Sequence, residues 1–68
     1  MSKQTIGQRI FTIRTARKLT RREVVATAGV TEATLYNIEQ LGQQPSIANL
    51  QAIARVLGVT AGALLGEA

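Results

Sequence analysis

The chain has 68 residues with no Cys, no His and no Asp, a length that predicts one domain spanning residues 1–68. This inventory excludes a thiolate or histidine zinc site, a histidine general base and a Ser–His–acid triad, so no enzyme activity, metal or cofactor is expected. A net charge of +4 favours a polyanionic partner over a merely basic soluble surface only about evenly, and no apolar run approaches the ~18 residues of a membrane span.

Ile6, Ile10 and Ile13 fall on a single stripe and predict a first helix from about Thr5 to Arg17. The stretch loosely matches an organelle transit peptide in being basic and acid-free, but a packed helical face accounts better for its apolar spacing. Lys18 and Leu19 form a short link. Thr20-Arg21-Arg22-Glu23 then reads as a capping box, the Thr hydroxyl accepting from the Glu23 amide while the Glu23 carboxylate reaches back. The second helix turns Val24, Val25 and Ala28 inward, and Gly29 stops it.

Thr31 starts a third helix that runs to about Gln40 with Leu35 and Ile38 inside, followed by a loop, Leu41-Gly42-Gln43-Gln44-Pro45. Ser46 caps a fourth helix whose predicted inner face is Ile47, Leu50, Ile53, Ala54 and Leu57, with Gly58 at its end. Thr60 caps a short fifth helix that ends with Leu64 and Leu65. Five short helices with links of a few residues make a compact all-α domain in which local contacts dominate.

Charge is unevenly spread along this order. Residues 1–22 carry Lys3, Arg9, Arg14, Arg17, Lys18, Arg21 and Arg22 with no acid (+7), while the remainder carries Arg55 against Glu23, Glu32, Glu39 and Glu67 (−3). This basic segment leads into two short helices separated by a tight turn with Gly29 at its start, RREVVATAGVTEATLYNIEQ over residues 21–40. That is the helix-turn-helix arrangement, in which the second helix enters the major groove of DNA. At 100° per residue, Leu35 and Ile38 define the buried side of the third helix, and Ala33, Tyr36, Asn37 and Gln40 point away. Thr31 and Glu32 stand at its N-terminal end, the end that reaches base edges in this docking mode. The predicted base-reading set is therefore Thr31, Glu32, Ala33, Tyr36 and Asn37. Asn37 has the paired donor and acceptor that match adenine, Ala33 offers a methyl to thymine, and Glu32 either accepts from cytosine or is repelled by phosphate.

The same residues resemble the Cro/phage-repressor (XRE-type) helix-turn-helix family. The match runs through IGQRI at 6–10, Leu19-Thr20, Glu23-Val24, Ala28-Gly29-Val30-Thr31, Leu35, Ile38-Glu39, Pro45-Ser46, Leu50, Ile53-Ala54, Leu57-Gly58-Val59 and Leu64-Leu65. It covers about residues 6–65 without an insertion. The resemblance implies a five-helix lambda-repressor-like domain, with a helix-turn-helix formed by its second and third helices. It implies a sequence-specific transcriptional regulator, a repressor by expectation, that binds double-stranded DNA as a homodimer. It also implies a cytoplasmic protein, bacterial or phage-encoded, associated with the nucleoid when bound. A protein-interaction module on the same fold, such as an antitoxin or adaptor, is the alternative.

The resemblance further implies phosphate contacts at Arg21, the first residue of the second helix, and at Gln43, Gln44, Ser46 and Asn49. Arg17, Lys18 and Arg22 add charge nearby, in keeping with a loop that carries Gln where relatives often carry Lys or Arg. Arg14 and Glu39 match a structural ion pair between the first and third helices. Dimerisation is expected near Val59, Leu64 and Leu65, which would place two recognition helices about 34 Å apart on a palindrome. Three residues depart from the pattern. Val25 replaces a usual Ala, Leu41 stands where Gly often ends the third helix, and Phe11 occupies a usually polar position, as a partner surface or as a cover for the core edge.

Overall fold

The computed structural model describes residues 4–66, so Lys3 and Glu67 lie outside the described residues. The described residues form α1 (Ile6–Ala16), α2 (Arg21–Ala28), α3 (Glu32–Leu41), α4 (Ile47–Leu57) and α5 (Ala61–Leu65), with no strand among them. Each helix opens on a hydroxyl. Thr5, Thr20, Thr31, Ser46 and Thr60 each accept from the amide three residues on, satisfying one of the amides that a helix start leaves unpaired. In α1 and α2 the box is completed by the Gln8 and Glu23 side chains, which accept from the Thr5 and Thr20 amides at 2.8 Å and 2.7 Å.

The core is one cluster drawn from all five helices: Ile10 of α1, Val24 and Val25 of α2, Leu35 and Ile38 of α3, Leu50, Ile53, Ala54 and Leu57 of α4, and Leu64 of α5. α2 packs on α4, α1 on α3, and α2 on α3, while α5 closes against α1 and α4. Val25 is accommodated inside this core. The tightest approach is at Gly7, where a Cβ would run into the carbonyl of Ile38 and stand 2.9 Å from the Cα of Glu39. Only glycine lets α1 lie that close to α3.

Three expectations are corrected. The bounds of α1 shrink by one residue at each end, because Thr5 and Arg17 cap it. Leu41 belongs to α3 instead of the following loop. Gly42, at φ 74°, ends that helix in the left-handed conformation that glycine adopts without a steric penalty, and the Gln43 amide donates to the Asn37 carbonyl at 3.1 Å. Ile47, predicted on the inner face of α4, is 75% exposed. It has the right helical phase, but as the first residue of α4 it lies beyond the core, which begins one turn later at Leu50.

Candidate nucleic-acid interface

The capping box at Thr20 fixes where α2 begins, and Gly29, at φ 76°, fixes where it stops. Val30 then leads into Thr31, whose Oγ1 accepts from the Thr34 amide at 3.0 Å and lies 2.8 Å from the Thr34 hydroxyl. Thr31 is thus an N-cap whose hydroxyl is engaged within α3. Val24 and Val25 of α2 share the core with Leu35 and Ile38 of α3, which sets the two helices as one unit.

With Leu35 and Ile38 inside, the opposite side of α3 faces solvent. Glu32, Ala33, Tyr36 and Gln40 are exposed and Asn37 is half-buried. The structure therefore brings the predicted base-reading residues together on one outward strip that begins at the helix N-terminus. Tyr36 is 47% exposed.

The first turn of α2 runs alongside this strip. Arg22 Nε lies 3.4 Å from Glu32 Oε1 at the start of α3. Arg21 Nε lies 3.7 Å from Glu39 Oε1 two turns further on, and its guanidinium carbon sits 5.2 Å from the centre of the Tyr36 ring. The Arg22–Glu32 pair is open to water, where such pairs contribute ~0–1 kcal/mol. It holds a cation next to the only acid on the strip.

Beneath this surface lies the Arg14–Glu39 pair. Arg14 Nε and Nη2 donate to the two Glu39 oxygens at 2.9 Å each, and Nη1 donates to the Leu19 carbonyl at 3.0 Å. Both residues are buried, and the pair ties α1 to the end of α3. Removing one partner of a buried pair costs ~3–5 kcal/mol because the other charge is left uncompensated. Phe11 neither covers the core nor stands free. It is half exposed, with the Arg14 guanidinium carbon 5.2 Å from its ring centre.

The other predicted positions divide. Lys18 is exposed and takes a left-handed φ of 59° at the end of α1, the role that glycine plays at the ends of the other helices. Gln43, Gln44 and Ser46 are exposed, Asn49 is half-buried, and the Ser46 Oγ accepts from the Asn49 amide at 3.1 Å. Arg17 is exposed, and its Nη1 would stand 3.1 Å from a Cβ on Gly58, so its head lies near the C-terminal end of α4. That end carries the negative pole of the helix dipole and attracts a cation. Leu64 is corrected as a dimer contact. It is fully buried in the core of its own chain, leaving half-buried Val59 and exposed Leu65 at that end.

Sequence reasoning missed the role of Gly7, although a glycine inside a helical stripe is a signal of close approach. It also missed Arg9, whose Nη1 donates to the Leu64 carbonyl at 3.2 Å and covers the end of α5. No local pattern announces a contact 55 residues away in sequence.

A capped α2, a glycine turn and an α3 with one side glued to the core and the other side open define a helix-turn-helix domain. The helix-turn-helix family profile matches residues 10–64. The immunity repressor protein of Bacillus phage phi105 is 40% identical over 63 residues, 93% of this chain and 44% of that repressor. The chain thus spans less than half the length of that relative. SinR of Bacillus subtilis, solved in complex with DNA, is 37% identical with a TM-score of 0.83, over 90% of this chain and 98% of that one. The DNA-binding domain of the P22 c2 repressor is 26% identical with a TM-score of 0.88, over 96% and 86% of the two chains. The chain belongs to the XRE-type helix-turn-helix family and has its lambda-repressor-like fold.

Proposed function

We propose that this chain is a sequence-specific double-stranded DNA-binding transcriptional repressor that lays α3 in the major groove of a palindromic operator, as a dimer. The observation that carries this reading is the outward strip of α3, with Glu32, Ala33, Tyr36, Asn37 and Gln40 on one side of a helix whose other side is locked in the core. Arg21 and Arg22 flank the strip where the sugar–phosphate walls of a groove would pass. Similarity to a phage immunity repressor, and to SinR as solved with DNA, supports the same reading.

The proposed base-reading set is Thr31, Glu32, Ala33, Tyr36 and Asn37. Arg17, Lys18, Arg21, Arg22, Gln43, Gln44, Ser46 and Asn49 supply phosphate contacts, helped by backbone amides at helix starts. The second copy meets Val59 and Leu65. The chain acts by binding, without catalysis, in the compartment that holds the DNA. No helix among the described residues is long and apolar enough to cross a membrane.

Selection from a random duplex pool, followed by titration of the selected and a scrambled duplex, tests the proposal. The expected result is a two-fold symmetric site bound at least ~10³-fold more tightly than the scramble. Equal affinity for both duplexes would overturn it.

The alternative, an adaptor or antitoxin on the same fold, draws on Leu41 and Ile47, which are 69% and 75% exposed. A stoichiometric protein partner whose binding masks these two side chains would favour it.

A further inference from the structure

The chain holds one Phe and one Tyr and no Trp, and each of these rings sits against an arginine. Both arginines converge on one carboxylate. The order is Phe11, Arg14, Glu39, Arg21, Tyr36, joining α1 to α3, α3 to α2 and α2 back to α3, with the Arg14–Glu39 pair buried between the two rings. Its charges do not cancel, since two cations share one anion.

The geometry says where the surplus goes. Glu39 accepts from Arg14 on both oxygens at 2.9 Å, and its side chain is fully buried. Arg21 comes only to 3.7 Å of the same carboxylate, beyond hydrogen-bond length, and its side chain remains 31% exposed. Glu39 is thus committed to Arg14 and only steers Arg21, whose charge stays available at the surface. Arg21 is moreover the first residue of α2. A cation there faces the positive pole of the helix dipole, an unfavourable position unless something holds it or an anion arrives.

We infer that Tyr36 and Glu39 are positioning residues that present the Arg21 guanidinium to a DNA phosphate, the ring from one side and the carboxylate from below. Tyr36 then acts through Arg21 and not as a reader of bases. This inference rests on the DNA-binding reading and assigns Tyr36 a different part in it. A guanidinium confined to one place before binding loses less side-chain freedom on meeting phosphate than a free one, and its planar fork suits bidentate contact.

The test is a double-mutant cycle with Tyr36→Leu, Tyr36→Phe and Arg21→Gln, read on a selected and a scrambled duplex. Tyr36→Leu is expected to weaken both duplexes by the same factor, about two- to five-fold, as loss of one exposed cation–π contact implies. Tyr36→Phe keeps the ring and retains wild-type affinity. In the Arg21→Gln background, Tyr36→Leu has no further effect. A loss confined to one base pair, or one that persists in full in the Arg21→Gln background, overturns the inference.

A second readout needs no DNA. The Arg21 Nε–H resonance in the free protein is displaced by the ring current of Tyr36. The displacement survives Tyr36→Phe and disappears in Tyr36→Leu; an Arg21 resonance indifferent to Tyr36→Leu overturns the array. Failure of the wild-type chain to discriminate duplexes removes the repressor reading while leaving this measurement valid. Discrimination with additive mutations removes the array alone.

Discussion

Gly7 and Asn37 mark the two kinds of constraint on single residues. Gly7 is fixed by packing: one added carbon meets the backbone of α3 at Ile38 and Glu39, which cannot rotate away as a side chain would. Gly7→Ala is expected to destabilise the chain by about 3 kcal/mol or more, at or beyond the upper end of the usual overpacking cost, because the clash is with backbone. Urea denaturation checks this, and an unchanged midpoint would contradict the close approach. Because Glu39 follows Ile38, the same variant is expected to disturb the Arg14–Glu39 pair. Asn37 is constrained by its ligand. Asn37→Ala is expected to weaken operator binding by ~1–3 kcal/mol and relax preference at one base position, with stability little changed. An equal loss on every duplex would remove it from the reading set.

Among the elements, α1 and α2 start with the same device built from different chemistry. The Gln8 side chain closes the box on Thr5 and carries no charge; the Glu23 side chain closes the one on Thr20 and does. The backbone hydrogen bond from Thr20, and then its side-chain hydrogen bond, hold the Glu23 carboxyl below the usual carboxylate range. A depressed folded-state pKa means that the stabilisation is fully present above the unfolded-state value and is lost as pH falls through the folded one. Glu23→Gln, which preserves the geometry of the box, is therefore expected to flatten the acid-side fall of the melting temperature. The wild type and variant should differ most near neutral pH and converge in acid. Parallel melting curves across that range would show that the carboxylate's charge contributes nothing to the α2 start. At this scale the sequence was most legible. All five helix starts carry a Thr or Ser whose capping role needs only the residues within one turn, and glycines end four helices by the same local logic. The misreadings came where local logic ends. Ile47 continues the stripe of α4 in phase, yet periodicity does not say how far a neighbouring surface extends.

For the whole molecule, the charge bias of residues 1–22 becomes a surface property only through folding. Arg9 donates to the Leu64 carbonyl at the end of α5, and Arg14 is buried against Glu39, so two of the seven cations in that segment are committed within the domain. Arg21 and Arg22 remain beside α3, and Lys18 remains exposed. The log–log dependence of affinity on salt is expected to carry a slope of about −0.9 per phosphate neutralised. Arg21→Ala is expected to reduce that slope by ~1 and to weaken all duplexes alike. An unchanged slope would take Arg21 off the phosphate surface. Two chains are expected on each palindromic duplex, with half-sites ~34 Å apart, and sedimentation of the complex checks the stoichiometry. A saturated complex holding one chain would remove Val59 and Leu65 from a dimer contact.

The five helices, the caps at Thr20, Thr31, Ser46 and Thr60, the glycine stops at Gly29 and Gly58, most of the core and the open side of α3 were all readable from local pattern, because each follows from hydrogen bonds or periodicity within a few residues. The Arg14–Glu39 pair was also legible, but only through resemblance, since nothing local joins positions 25 residues apart. Packing of the helices settles that Gly7 is a contact point, that Leu64 belongs to the core, that Arg17 lies near the end of α4, and that Phe11 and Tyr36 each sit against an arginine. Those outcomes depend on distances between helices, and such distances are set by the shared core and not by any one segment that contributes to it.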